Sequence, residues 1–277
     1  MNKIYIYIVG LMVIASSCTE PIELDLNSDN NIRLVVDGFV TTDTTAHVVD
    51  LSLTKDYFGT GVPAKAEGAV VSITNGTNVL NLTEVEPGKY YTPNDYFGLE
   101  GESYTLDIDY DGQSYSATTS LPTLTPLDSI AVLDYEEELG PGQEEENEFP
   151  DNYSVVPFFQ EPSTEGNFYI FKMLINGEYF TETLIDWLFT GDEIVNGSYI
   201  RDAEFFSFYA EPGDEITFEM FSITKSDFEN LNAILLETEF RGGLFDGAPA
   251  NVPSNVSGGA VGQFIMADVE RKTVTIE

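Results

Sequence analysis

Chemistry in this chain has few places to start. Its one cysteine, Cys18, stands directly behind Leu11–Ser17 in the stretch LMVIASSC, and its one histidine, His47, lies in a run of alternating apolar residues. A thiol with no second cysteine cannot form an internal disulfide, and one histidine with no further cysteine cannot assemble the usual zinc ligand sets. HExxH, GxSxG, GxGxxG and GxxxxGK[ST] are all absent, so neither a zinc-protease helix, a nucleophile elbow nor a phosphate cradle is encoded. The 48 Asp and Glu residues offer many carboxylate pairs of the kind glycoside hydrolysis uses, but nothing in the sequence selects one. His47 shares a strand face with Val49, Leu51 and Leu53, which points to a packed histidine and not a proton carrier. No enzyme and no cofactor is expected, no metal site is assigned, and the residues left for ligand contact are aromatic. Tyr57 and Phe58 sit in a Gly-rich loop where rings can stack on a sugar or peptide, and Trp187 sits in an apolar patch with Leu188 and Phe189. For Trp187 the core is the stronger reading.

The elements around Cys18 give it a role. Lys3 precedes an apolar run, Ile4 to Ile14, which ends in the small residues Ala15, Ser16 and Ser17. That is a charged n-region, an h-region and a cleavage zone, too short for the roughly 20 apolar residues that span a bilayer. A plain secretion signal would not need a cysteine at the cut. The stretch resembles the lipobox of bacterial lipoproteins, with Ser17 in the last small position and Cys18 as the lipidated residue. Residues 1–17 are therefore expected to be a signal peptide and Cys18 a lipid anchor, with several acyl chains at about 0.8 kcal/mol per buried CH2. Thr19 in place of aspartate does not suggest retention at the inner membrane, and Glu20, Glu23 and Asp25 resemble the surface-export signals of Bacteroidetes-type lipoproteins. The expected location is the outer membrane, on its cell-surface or periplasmic face.

The composition bounds the rest. In 277 residues there are 11 Lys and Arg, a formal net charge of −37, 42% hydrophobic residues and 13% aromatics, enough apolar material for a packed core. The negative field repels nucleic acid and anionic headgroups, so no nucleic-acid partner is expected, while cations and basic partners are drawn in.

Along the chain, residues 18–31 read as an acidic tether. From 32 to 122 short strands recur at about ten-residue spacing: 33–40, 46–54, 69–74, 79–83, 88–92, 103–110 and 113–120. Asp111-Gly112 between the last two is a hairpin signal. Seven strands with turns between them predict a β-sandwich. Pro122 and Pro126 mark a boundary. The second domain, 123–277, opens with a strand at 129–135, then carries an acidic stretch, 136–148, read as a solvated loop because like charges repel. A calcium site there is the sharper alternative, but the spacing lacks the Asp/Asn alternation of a calcium loop. Strands follow at 167–175, 178–188, 204–209 and 215–223. A helix is predicted over 226–241, with Ser226 and Glu229 as its capping box, Phe228, Leu231, Leu235 and either Ile234 or Leu236 as its apolar face, and Gly242-Gly243 as its stop. A Gly- and Pro-containing loop, 246–259, leads to closing strands at 260–267 and 273–276. The fold class is mainly β: an immunoglobulin- or transthyretin-like sandwich, then a second β-rich domain with one helix.

Taken in order, several segments carry a likeness: CTEPIELDL at 18–26, LVVDGFVTTD at 34–43, VDLSLTKDYF at 49–58, AEGAVVSITNG at 66–76, GKYYTP at 88–93, GESYTLDIDYDGQSYSATTSLP at 101–122, GDEITFEMFSITKSDFENL at 213–231 and PANVPSNVSGGAVGQFIMADV at 249–269. Together they resemble an uncharacterised family of Bacteroidetes outer-membrane lipoproteins, a domain of unknown function often encoded beside TonB-dependent receptors. Residues 69–121 are also similar to transthyretin-like (carboxypeptidase-regulatory-like) modules of cell-surface proteins. The resemblance implies a membrane partner through Cys18, a TonB-dependent outer-membrane receptor as protein partner, and no catalytic residues. Its implied function is an accessory binding lipoprotein for TonB-dependent nutrient uptake. The alternative is a structural or adhesive envelope protein that displays its domains.

Overall fold

The computed structural model describes residues 32–55, 61–135, 152–238 and 252–277. Cys18, the signal, the tether, Tyr57, Phe58, the acidic stretch 136–148 and the last residues of the predicted helix lie outside them.

The chain is mainly β and carries one α-helix among the described residues. Its spine is the last strand. β17 (Val261–Thr275) pairs in parallel with β1 (Leu34–Thr41) through residues 261–267, then antiparallel with β16 (Glu215–Ile223) through 268–275. It therefore joins two ladders into one nine-stranded sheet. On one side run β1, β2 (Val48–Leu53), β6 (Lys89–Tyr91) and β5 (Thr83–Glu86); on the other run β16, β11 (Phe168–Ile175), and then β12 (Glu178–Tyr179) and β13 (Leu188–Gly191), which share one edge of β11.

Two four-stranded sheets cover one face of this long sheet. The first is β4 (Val79–Asn81), β3 (Val70–Thr74), β7 (Ser103–Tyr110) and β8 (Gln113–Ser120). Its alternation is the one the sequence shows: Tyr104, Leu106, Ile108, Val71 and Ile73 turn inward to meet Val36, Val40, Val49 and Leu51. The tyrosines at this core keep their hydroxyls bonded, as buried polar groups must. Tyr90 Oη donates to Ala66 O and accepts from Ala69 N, and Tyr104 Oη accepts from Leu99 N. The predicted strand 79–83 is divided: β4 stays in this sheet, while β5 begins at Thr83 and belongs to the other, so the chain changes layers at Leu82.

The chain passes from the first core to the second between Leu121 and Leu124. The second small sheet is β9 (Leu127–Asp134), β10 (Tyr153–Gln160), β14 (Tyr199–Ile200) and β15 (Phe205–Phe208). Over it lie Tyr169, Phe171, Met173, Ile216, Phe218 and Met220. β17 serves both cores on this face, with Phe264 and Met266 in the first and Val274, together with Ile276 just past the strand, at the second. The opposite face carries Phe168, Ile170, Phe221, Ile223, Ile265 and Ala267 and is covered by the helix α1 (Lys225–Thr238) and Trp187.

Three local expectations are corrected. The helix cap is Thr224, not Ser226: Thr224 Oγ1 accepts from Asp227 N, and Asp227 Oδ2 accepts from Thr224 N and Oγ1. The pair forms a capping box two residues earlier than Ser226–Glu229. Leu231 is buried, and of the two residues the spacing left open Ile234 is half-buried while Leu236 is exposed. The predicted strand 178–188 breaks into β12, a 3-10 turn at Leu184–Asp186 and β13. Thr181 bonds both backbone groups of Met173, and Asp186 Oδ2 accepts from Thr183 N and Oγ1.

The third correction is that 260–267 and 273–276 are one strand. Asp268-Val-Glu-Arg-Lys places charge on both faces of the strand, yet each inward acid has a donor. Asp268 accepts from Leu124 N and Thr42 Oγ1, and Glu270 accepts from Leu127 N. These carboxylates tie the segment entering the second core onto β17.

Candidate functional site

β10 carries no strand signal in the sequence because Pro157 interrupts an apolar run and lacks a backbone donor. Its place shows why it is tolerated. On one edge β10 pairs with β15 through Tyr153–Val155 and with β14 through Phe159–Gln160, so Pro157 falls in the gap. The gap leaves the sandwich open at that end.

A cavity of about 320 Å³ lies there, between Phe159 of β10, Tyr169 and Phe171 of β11, Leu188 and Thr190 of β13, Ile200 of β14 and Phe205 of β15. That volume is at the lower end of small-molecule sites, roughly 300–1,000 Å³. The walls are largely apolar. The rings form one connected cluster: Phe159 meets Tyr169 edge-on at 6.2 Å, Tyr169 stacks on Phe171 at 6.0 Å, and Phe171 packs on Phe205 at 4.9 Å. A bulge supplies the last contact. Phe206 is skipped in the pairing of β15 with β10 and has φ +48°, so Phe205 and Phe206 both reach the second core.

Glu161, at the end of β10, is the exception in this wall. It is 1% exposed, its Oε1 accepts from Tyr169 Oη at 3.1 Å, and its Oε2 has no hydrogen-bond partner. A buried carboxylate half satisfied in this way is costly. Burial pushes its pKa above the ordinary value, with Asp192 adding to it and the Tyr169 hydroxyl and nearby Asn167 amide pulling against it, and burial with Glu161 beside it raises that of the Tyr169 phenol. Asp192 is buried too, but fully used: it accepts from Gly166 N, Asn167 N and Asn167 Nδ2. Its backbone carbonyl accepts from Val195 N and Asn196 N, fixing the turn that carries Glu193 and Ile194 over the cavity mouth. Ile194 at this rim is 97% exposed.

Of the predicted ligand contacts Trp187 alone is among the described residues; Tyr57 and Phe58 lie outside them. Trp187 does not line the cavity, although its neighbour Leu188 does. Its ring face is taken by Lys172, whose Nζ lies 3.4 Å from the ring centroid, and its Nε1 donates to Thr181 O. Lys172 is boxed further by Phe39 and Phe221. It stands opposite Glu219, which stands opposite Arg271, a row of alternating charge across three strands. Arg271 also makes a two-pronged contact with Asp43 at 2.7 and 2.8 Å. Burial lowers the Lys172 pKa to about 8, against the pull of Glu219 and Asp37. This cluster is closed by its own lysine. His47 is likewise occupied: Nδ1 accepts from Thr41 N, leaving Nε2–H for Asp43 O, and burial lowers its pKa. Among the described residues no three metal-capable side chains converge.

No motif signals Glu161; it is one acid among 48, and the only hint is its place at the end of the apolar run Val155–Phe159. A domain-of-unknown-function profile, DUF4249, matches residues 19–273. The chain belongs to the DUF4249 family. No curated protein matches it significantly. Among solved structures, one titled "Cytokine receptor complex - Crystal form 1A" is aligned over 87% of this DUF4249 chain and 95% of its own at 9% identity, with a TM-score of 0.25. A likeness of that size carries no argument about fold or function.

Proposed function

We propose that this DUF4249 protein is a lipid-anchored outer-membrane binding protein of a Bacteroidetes-type envelope, an accessory to a TonB-dependent nutrient-uptake receptor, and not an enzyme. The observation that carries the binding part is the cavity at the open end of the second sandwich, apolar in its walls and holding one half-satisfied carboxylate. Proton-transfer chemistry on a sugar would require two working carboxylates and a wall able to hydrogen-bond hydroxyls. Here Asp192 is consumed by the loop it anchors, Glu193 sits exposed at the rim, and the walls are rings and aliphatic chains. The anchor is supported by the sequence up to Cys18.

Purification of the C-terminally tagged chain from native membranes in mild detergent tests this reading. The expected result is an acylated N-terminal peptide beginning at Cys18 and a stoichiometric TonB-dependent barrel alongside. A chain without acyl groups, or an acylated chain that always emerges alone, overturns the accessory role. The second outcome would favour the display or adhesion alternative.

A further inference from the structure

We infer that the cavity beside Glu161 takes a small organic ammonium, a primary or secondary amine carried on an aromatic or branched apolar body. The inference rests on the cavity being the ligand site of the proposed binding protein. Three observations select this chemistry. First, the one buried polar group in the wall that lacks a hydrogen bond is an acceptor: Glu161 Oε2 has none and is closed off from solvent, while Oε1 is held by the Tyr169 hydroxyl and the nearby Asn167 amide gives its hydrogens to Thr164 O and Asp192 Oδ2. An N–H donor with positive charge would complete it with a charge-assisted hydrogen bond. Second, the lining contains Glu161 and Glu193 but no lysine, arginine or histidine, so an anionic ligand would meet two acids and no counter-charge. The net charge of −37 adds attraction at long range. Third, the walls next to Glu161 are ring faces and edges of Phe159, Tyr169, Phe171 and Phe205, which accept an apolar body and favour a nearby cation.

The neighbouring cluster shows the same chemistry already satisfied from within. Lys172 places its ammonium against Trp187, Phe39 and Phe221, with Glu219 across the strand. The cavity has the acid and the rings but no resident ammonium.

A charge series on one apolar body tests the inference directly. 2-Phenylethylamine, 2-phenylethanol and 3-phenylpropanoate are titrated into the full chain in non-ionic detergent, with detergent alone as control, and followed by saturation-transfer NMR and calorimetry. The amine is expected to bind saturably, the alcohol at least about tenfold more weakly, and the acid not at all; Glu161→Gln is expected to bring the amine to the level of the alcohol. Because Glu161→Gln could perturb folding, the wild-type series stands by itself as a readout. Ala203→Phe, placed at the cavity lining, is expected to abolish binding of amine and alcohol together. If the alcohol or the acid binds as well as the amine, the ammonium inference fails while the cavity stays a ligand site. If none of the three binds, the cavity reading fails with it.

Discussion

The two halves of the long sheet bury very different material on the same face. The first core is aliphatic, with Leu34, Val36, Val49, Leu51, Ile73, Leu106 and Ile108 closed by tyrosines whose hydroxyls are bonded. Its buried polar residues, Thr41, His47, Thr92 and Thr119, include no acid, lysine or arginine. The second half is built from phenylalanines, and every buried charged residue among the described ones belongs to it or to the seam: Glu161, Lys172, Asp192, Glu219, Asp227 and Asp268. Aliphatic side chains interdigitate and fill space. Large flat rings around a bulge at Phe206 and a proline gap at Pro157 leave a cavity. Buried charge costs stability unless paired, so its concentration in one half marks where stability has been exchanged for specific polar geometry. The first half is packed throughout, and the second half carries the cavity proposed above as the ligand site.

The largest break in this comparison is expected at the seam. Gly262 has φ +95°, and a Cβ there would lie 2.0 Å from the Val36 carbonyl oxygen. Gly262→Ala should lose at least about 3 kcal/mol from strain and displaced pairing of β17 on β1, read by urea unfolding. The first core should loosen with it, because Phe264 and Met266 enter that core from β17.

Next comes acid, which should act on the two halves with opposite sign. Asp227 is fully buried, Oδ1 is unpartnered, and burial raises its pKa to about 6 against the hydrogen bonds from Thr224. The folded state then holds a proton that the unfolded chain has released, so stability from this group is present below about pH 4 and lost as pH rises through 6. The full change is roughly 3 kcal/mol. Asp227→Asn should flatten that slope in unfolding curves at pH 4 and 6.5. In the first half His47 has a lowered pKa, so its contribution is present above pH 6.5 and lost as pH falls through its folded pKa. His47→Gln should reduce the acid sensitivity that Asp227→Asn leaves.

The smallest effects should come from overpacking. Ala117 is buried in the first core, and Ala117→Leu should cost about 1–3 kcal/mol by overpacking it. Ala203→Leu, which points added volume at the cavity, should change thermal stability by less than about 0.5 kcal/mol. Equal costs at the two sites would remove the contrast in packing.

The fold was largely legible because antiparallel strands with one wet face write their pattern into the chain. Tyr104, Leu106 and Ile108 alternate inward as the residues indicate, and Asp111-Gly112 and Asn176-Gly177 turn with positive φ at both positions, as two-residue hairpins require. The second half hid more. Pro157 concealed β10, and the charges of Asp268 and Glu270 concealed the continuity of β17, since their partners at Leu124 and Leu127 are more than 140 positions away. Glu161 was invisible for the same reason: its burial depends on β11, on β13 and on pairing with β14, none of which its neighbours announce. Trp187 drew notice because tryptophan is rare here, yet its partner Lys172 lies on another strand.

The most direct test of the account is the titration of Glu161 itself, followed by side-chain carboxyl 13C NMR and assigned by comparison with Glu161→Gln, with and without 2-phenylethylamine. Tyr169, Asp192 and Glu193 are the other titratable groups around it. Glu161 is expected to titrate above the ordinary glutamate value in the free protein and to move down when the amine is present, because the ligand binds the ionised form. An ordinary value that does not respond to the amine would contradict the claim that the second half holds an acid waiting for a partner.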